Sequence, residues 1–266
     1  MPADPLRVAV HGAAGRMGIR LIQLMAEASD LVLAAAVDRG DHPRLGEDAG
    51  EVAGVGRLGV RLAAGLTEPV DVAIDFSTPA ASLGFAETCA DRSIALVVGT
   101  TGYEPEQRRT LEMYAARIPM LISANFSRAV NLLMRLTAEA ARILGDAADI
   151  EIVERHHRFK KDAPSGTALR LAEIAAQAIG REQLVYGRRG QVGERPRGEI
   201  GVHALRTGDN PGEHTVVFGL MGECLELSHR ALNRDGFCRG ALEAARFLAG
   251  RPARLYTMDD LLDATG

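Results

Sequence analysis

Tryptophan is absent from the 266 residues, and aromatic residues make up only 4%. That leaves no stacking platform for single-stranded nucleic acid. Cysteine is scarce as well: Cys89, Cys224 and Cys238 are odd in number, scattered and outside CxxC spacing. A disulfide framework and a zinc site are thereby excluded, and a reducing compartment fits. No His/Cys/Asp/Glu group has the spacing of a metal site, so no metal is expected. The longest apolar run, residues 31–37, falls far short of the roughly 18 residues needed to span a bilayer. The stretch from Met1 to Arg7 has no apolar core, which reads as no secretory signal and a cytoplasmic protein. A charge excess of one sign is also missing. The net charge of −4 gives no reason to bind nucleic acid or an anionic membrane non-specifically.

What is present is a folding composition, 47% hydrophobic and 25% charged, which excludes a disordered or collagenous chain. The length corresponds to roughly two domains. In the first half, Val-, Ile- and Leu-rich runs at 7–11, 31–37, 70–76, 94–98 and 120–122 alternate with helical stretches, the first at 16–27. The runs lack strict alternation, as strands buried on both faces do, which predicts a parallel, doubly wound sheet. After about residue 127 the pattern changes. A helix is expected at 130–144 and an alternating strand at 150–154, followed by a basic loop and a helix at 167–178. Residues 187–201 hold five glycines and several arginines and read as a mobile stretch. Strands at 214–220 and 223–229 are joined by a Met221-Gly222 turn, and a helix spans 239–249.

Two segments carry chemistry. The first strand runs into Gly12-Ala13-Ala14-Gly15-Arg16-Met17-Gly18, which opens a helix. In this position Gly12 permits a tight turn, Gly15 lets backbone N–H groups approach a pyrophosphate, and Gly18 allows close helix–sheet packing. Arg16 opposes the helix dipole, which a bound anion would offset. Asp38-Arg39 ends the second strand, twenty residues past Gly18. Asp38 can accept from ribose hydroxyls and Arg39 can meet a 2′-phosphate. The competing reading is a plain turn and a solvated ion pair. Gly99-Thr100-Thr101-Gly102 and Ser123-Ala124-Asn125-Phe126 follow two further strands. They can hold a nicotinamide ribose and carboxamide, although ordinary loop chemistry with Asn125 as a helix cap serves equally. Asp75-Phe76-Ser77 can floor the same crevice or cap the next helix.

The second segment is the stretch from Glu154 to Ala168, in which six of the seven residues from Arg155 to Lys161 are basic. It ends in Pro164-Ser165-Gly166-Thr167, which opens a helix. Cations facing a helix start suit a small substrate with more than one negative charge, and the adjacent His156 and His157 add two imidazoles able to act as acid or base. A solvated basic face is the alternative. A nucleic-acid patch lacks a recognition helix here. His203, His214 and His229 are isolated and read as satisfied structural histidines.

These segments resemble the dihydrodipicolinate reductase family, over essentially the whole chain. The most specific match is Glu154-x-His156-His157-x-x-Lys160-x-Asp162-Ala163-Pro164-Ser165-Gly166-Thr167-Ala168. Gly12 to Gly18, Gly99 to Gly102, Ser123 to Ser127 and Gly212-Glu213-His214-Thr215 match in order. The resemblance implies a Rossmann-like α/β domain over 1–127, with 237–266 returning to it. It implies an α+β substrate and oligomerisation domain with a mixed sheet over 128–236. It also implies NAD(P)H-dependent reduction of 4-hydroxy-tetrahydrodipicolinate, using NADH and NADPH. His156 and Lys160 are then the catalytic residues, and His157, Gly166 and Thr167 bind the dicarboxylate substrate. Gly12, Ala13, Ala14, Gly15, Arg16, Met17, Asp38, Arg39, Gly99, Thr100, Thr101, Ser123, Ala124, Asn125 and Phe126 contact the cofactor. A homotetramer is expected, without nucleic-acid or membrane partners. The rival readings are another small-acid dehydrogenase and a non-catalytic dinucleotide sensor.

Overall fold

A computed structural model of the chain describes residues 4–181 and 183–265. Met1 to Ala3 of the N-terminal stretch, and Gly266 at the end of the returning segment, lie outside the described residues. The chain divides into two compact units, residues 1–128 with 235–266, and residues 129–234.

The first unit begins with β1 (Leu6–His11), α1 (Arg16–Ala26), β2 (Leu31–Val37), α2 (Ala49–Ala53) and β3 (Leu62–Ala63). It continues through β4 (Val72–Asp75), α3 (Pro79–Asp91), β5 (Ala95–Val98), α4 (Pro105–Met113) and β6 (Pro119–Ile122). Helix α5 (Arg128–Leu144) leads into the second unit, which holds β7 (Asp149–His156), α6 (Gly166–Ile179), β8 (Leu184–Tyr186), β9 (Ile200–Arg206), β10 (Glu213–Leu220) and β11 (Glu223–Arg230). The chain then returns with α7 (Asp235–Leu248), β12 (Arg254–Tyr256) and α8 (Met258–Thr265).

The first sheet has the order β12-β6-β5-β4-β1-β2-β3, and every pairing in it is parallel. Its central strands are buried on both faces: Val8, Val10, Ile74 and Val97 pack into one layer, Ala9, Ala73, Leu96 and Val98 into the other. That is why these strands read as continuous apolar runs. Helix α7 supplies Cys238, Ala241, Leu242, Ala245 and Leu248 to the first layer. The elements α2, β3, β12 and α8 were not anticipated from the sequence, and each is short.

The second sheet is mixed, with the order β11-β10-β7-β9-β8. Strand β10 is antiparallel to β7 and β11, whereas β9 is parallel to β7 and β8. Helix α6 covers one face through Ala168, Leu171, Ala172 and Ala175, packed on Ile150, Ile152, Ile200, Val202, Val216 and Phe218. Along β7 burial alternates, and the buried set is Ile150, Ile152, Glu154 and His156. The strand therefore runs two residues past the expected end, and Arg155 and His156 stand on it rather than in a loop. Strand β9 likewise begins inside the stretch expected to be mobile. That stretch is tied down. Arg188 and Arg195 both bond Glu151 and also reach Glu199. Burial pushes the Glu151 carboxyl up, but these guanidiniums and His203 outweigh it and hold it down at about 2.

At Gly18 an added Cβ would overlap the Gly12 carbonyl and the Ala13 Cα, both fixed backbone. Gly18→Ala should therefore destabilise the fold by about 1–3 kcal/mol, the usual cost of overpacking. Urea unfolding of the variant checks this. An unchanged midpoint would mean that the α1–β1 contact can relax.

Candidate active site

In the first unit, the C-terminal ends of the parallel strands are stitched into one edge. Gly12 and Ala13 donate their N–H groups to the Val37 carbonyl at 2.9 and 3.1 Å. Gly12 has a φ of +75°, and a Cβ there would overlap the Phe76 carbonyl. Only glycine fits this turn. Gly15 is the N-cap of α1; it provides no side-chain cap, and the first turn holds no acid. The N–H groups of that turn have no side-chain cap and can meet an external anion, with Arg16 exposed beside them. Asp38 accepts from the Ala14 N–H through Oδ2 and from the Arg39 N–H through Oδ1, each at 2.9 Å. Arg39 is exposed and pairs with exposed Asp41 at 3.3 Å, a contact weak enough to be exchanged for another anion. These residues fit a dinucleotide: a glycine turn for close approach, a dipole for phosphate and a fixed carboxylate for ribose.

Beneath this edge lies Asp75, with no exposure to solvent. It accepts from His11 Nδ1 at 2.7 Å, from the Ser77 hydroxyl at 2.6 Å, from the Thr100 hydroxyl at 2.8 Å and from the Ser82 hydroxyl. Burial pushes its carboxyl up, but His11 and the hydroxyls outweigh that and hold it below the usual range. Thr100 also accepts from the Ser77 N–H, so its side chain is committed to this network. Ala13 and Phe126 are buried too, and Phe126 packs edge-on to Phe76. The side chains of Ala13, Thr100 and Phe126 are thus turned into the unit. Gly99 lies against the Phe76 ring, which leaves no room for a Cβ. Met17 packs against the core. Ala14 and Asn125 are half-buried, while Thr101 and Ala124 are exposed. The Ser123 hydroxyl donates to the Asn125 carbonyl at 2.8 Å, and Asn125 Oδ1 accepts from the Ser127 N–H at 2.9 Å.

In the second unit, Glu154 has no exposure to solvent. Its Oε2 accepts from His156 Nδ1 at 2.6 Å and from Arg206 Nη1 at 2.8 Å. Its Oε1 accepts from the Ser165 N–H at 2.9 Å and from Arg206 Nη2 at 2.8 Å. Burial pushes this carboxyl up; Arg206, His156 and the Ser165 N–H prevail and keep it below the usual range. Arg206 also donates to the Asp162 carbonyl at 2.7 Å. Ser165 caps α6 by accepting from the Ala168 N–H, and its hydroxyl lies 3.1 Å from His214 Nε2. Gly166 and Thr167 form the first turn of that helix. Gly166 is exposed and Thr167 half-buried. Lys160 reaches both carboxylate oxygens of Asp162, at 2.9 and 2.8 Å. This ion pair holds the Asp162 carboxyl below its usual range. His157 is half-buried, and its buried Nδ1 has no partner among the described residues. Gly212, with a φ of +152°, lies so close that a Cβ there would sit 2.8 Å from His156 Nε2.

The structure thus joins His156 to the start of α6 through Glu154 and Ser165, with Gly166 and Thr167 in the first turn of that helix and Lys160 paired to Asp162 in the segment before it. Sequence reasoning missed Glu154, Asp162, Arg206 and Gly212 as parts of this site. His203 is satisfied by Glu151 at 2.6 Å. His214 and His229 are not fully satisfied: each has a buried Nδ1 without a partner among the described residues. No group of acidic, His and Cys side chains among the described residues could hold a metal ion. No described helix is long and apolar enough to cross a membrane.

A Rossmann-like parallel sheet with a glycine turn at its C-terminal edge, in a chain that also carries this helix-start site, is the build of a dinucleotide-dependent oxidoreductase. Comparison with known proteins supplies the family. The family models described as dihydrodipicolinate reductase, N-terminus and C-terminus, match residues 6–126 and 129–262. The chain belongs to the dihydrodipicolinate reductase family and is an oxidoreductase. It is 51% identical over 263 residues to a 4-hydroxy-tetrahydrodipicolinate reductase of Anaeromyxobacter sp. (strain Fw109-5), covering 97% of each chain. A protein of the same name from Syntrophotalea carbinolica is 48% identical, with 97% of this chain and 98% of that one covered. Among solved structures, a dipicolinate-bound dihydrodipicolinate reductase from Paenisporosarcina sp. TG-14 aligns with a TM-score of 0.78 at 24% identity, covering 95% of this chain and 97% of that one.

Burial, reinforced by His156 and His229, pushes His214 down to about 3, and burial lowers His229 as well. An unfolded histidine titrates near 6.5. Below that pH the unfolded chain binds protons that the folded one refuses, so stability is full above about 6.5 and is lost as the pH falls. His214 alone should remove about 2 kcal/mol between pH 7 and pH 5. Urea midpoints at the two pH values test this, and His214→Gln should show a shallower decline. An equal decline in the variant would exclude His214 as its source.

Proposed function

We propose that the protein reduces 4-hydroxy-tetrahydrodipicolinate to tetrahydrodipicolinate with NADH or NADPH, a step of the diaminopimelate route to lysine. The observation that carries this reading is the start of α6, where Glu154 ties His156 to the Ser165 N–H that opens the Gly166–Thr167 turn. The 4-hydroxyl leaves as water together with a proton from the neighbouring carbon, which conjugates the new double bond with the ring imine, and a reduced nicotinamide, when bound, would supply a hydride to C4. Gly12 to Met17, Asp38 and Arg39 hold the dinucleotide, and Gly99 to Thr101 with Ser123 to Phe126 line its nicotinamide end. The Gly166 and Thr167 N–H groups and His157 hold a substrate carboxylate. The enamine left in the ring needs a proton at the carbon next to C4. Lys160 supplies it, and His156 is the second acid/base group.

The dinucleotide unit is residues 1–127 with 237–266, and residues 128–236 form the substrate and oligomerisation unit. A homotetramer is proposed through the second sheet. The face away from α6 carries half-exposed Val153, Thr215 and Val217. The free thiols Cys89, Cys224 and Cys238 fit a reducing compartment, and the proposed location is the cytoplasm. Following NADH or NADPH absorbance with freshly generated substrate tests the activity. Pyridine-2,6-dicarboxylate should compete with substrate, less strongly as salt rises. Absence of turnover with either coenzyme would overturn the reading.

Lys160→Ala should lower kcat by roughly two to four orders of magnitude, the span of a general acid. Lys160→Arg keeps the charge without a transferable proton and should remain impaired. If it restores most of kcat, Lys160 acts by charge alone and His156 or water is the acid.

Both coenzymes should support turnover within roughly tenfold of each other, because Asp38 and Arg39 pull in opposite directions by about 1–2 kcal/mol each. Asp38→Ala should weaken NADH more than NADPH in steady-state assays. An unchanged preference would remove Asp38 as the ribose ligand.

A further inference from the structure

We propose that Glu154 is the positioning residue of this site: one buried carboxylate that fixes the tautomer of His156 and also anchors the start of α6. The inference rests on the proposed function for what His156 does, but its geometry stands by itself.

An ionised carboxylate only accepts. His156 Nδ1, 2.6 Å from Glu154 Oε2, must therefore carry the proton, which leaves Nε2 as the working nitrogen. Nε2 is the atom that a Cβ at Gly212 would approach to 2.8 Å, so the glycine keeps that side of the ring uncovered. The other carboxylate oxygen accepts from the Ser165 N–H, the residue whose side chain caps α6. The imidazole and the helix start are thus set by two oxygens of one rigid group. Arg206 places one N–H on each of those oxygens and a third contact on the Asp162 carbonyl. It does so with its Nε buried and without a partner among the described residues. An arginine kept in place despite an unsatisfied N–H marks the fork itself as what matters.

Glu154→Gln isolates this role, because the amide replaces one acceptor with a donor at unchanged size. The Ser165 N–H cannot reverse its polarity, but His156 can move its proton to Nε2 and accept at Nδ1. Arg206 donates to both oxygens and so does not choose between the two sides, and the amide nitrogen therefore settles toward His156. In the wild type, 15N NMR of the neutral imidazole should find the His156 proton on Nδ1; in Glu154→Gln it should be on Nε2. In the variant, kcat should fall about a hundredfold or more, as for loss of acid–base function. KM and the affinity for NADH should change far less. A wild-type His156 with its proton on Nε2 overturns the proposal even if the variant fails to fold. So does a Glu154→Gln enzyme with wild-type kcat. A parallel loss of NADH affinity would show a merely structural role. The tautomer is read without turnover, so a wild type that does not reduce the substrate would refute the function and leave this result standing.

Discussion

A carboxylate sealed from water has to be met by donors on every side, and the second unit is organised around meeting one. Glu154 takes four N–H groups, from His156, Ser165 and both terminal nitrogens of Arg206. Breaking such a cluster by removing one member would leave an uncompensated buried charge, which costs about 3–5 kcal/mol. Each donor comes from a different piece of structure: the same strand, the start of α6 and the end of β9. The constraint on one side chain therefore fixes three backbone segments at once. The sheet register makes this possible, since β7 pairs His156 with Arg206 on β9 and Glu154 with His214 on β10. Side chains at paired positions point to the same face.

The first unit solves a similar problem with different chemistry. Asp75 is as deeply buried as Glu154, yet it is met by one imidazole and three hydroxyls rather than by a guanidinium. Those donors come from the end of β1, the segments after β4 and β5, and helix α3. Tyr103 extends the network by donating to Ser82 at 2.6 Å. Hydroxyls can both donate and accept, so the network closes without an added charge. The result is a stiff floor under the turn of Gly12 and the loop of Gly99, where backbone approach needs sub-ångström placement.

Much of this was legible in the sequence. The parallel strands declared themselves because burial on both faces leaves continuous apolar runs, as in Leu31–Val37. The glycine turn was legible because Gly12 and Gly18 have no room for any other residue. Strand β9 was not: Ile200–Arg206 follows a Gly- and Arg-rich stretch, and only its first three residues are buried. With β9 unseen, Arg206 had no place in the site. Glu154 carried a usable signal. Ile150 and Ile152 define the buried parity of β7, and the same parity reaches Glu154 and His156. A charged residue on the buried phase of a strand needs a partner nearby. Which arginine answers it depends on pairing across some fifty residues, and local pattern holds no information on that. Thr100 and Phe126 show the reverse: their loops are visible where apolar runs end, but whether a side chain faces outward or into the core is a tertiary property.

The basic run has a different meaning in the structure from the one its composition suggests. Six basic residues in seven look like a general attractor for anions. Yet Arg155 is committed to Glu213, Lys160 to Asp162, and His156 to Glu154. Half of these six basic groups are already answered by the protein's own carboxylates, which lowers the segment's pull on polyanions. The pairs differ in what an incoming dicarboxylate can do to them. Glu154 is sealed by its donors and cannot be displaced. Asp162 has 64% of its side chain exposed beside a Lys160 that is only 20% exposed. A ligand carboxylate can take over that ammonium while Asp162 turns to water, at little cost for an exposed ion.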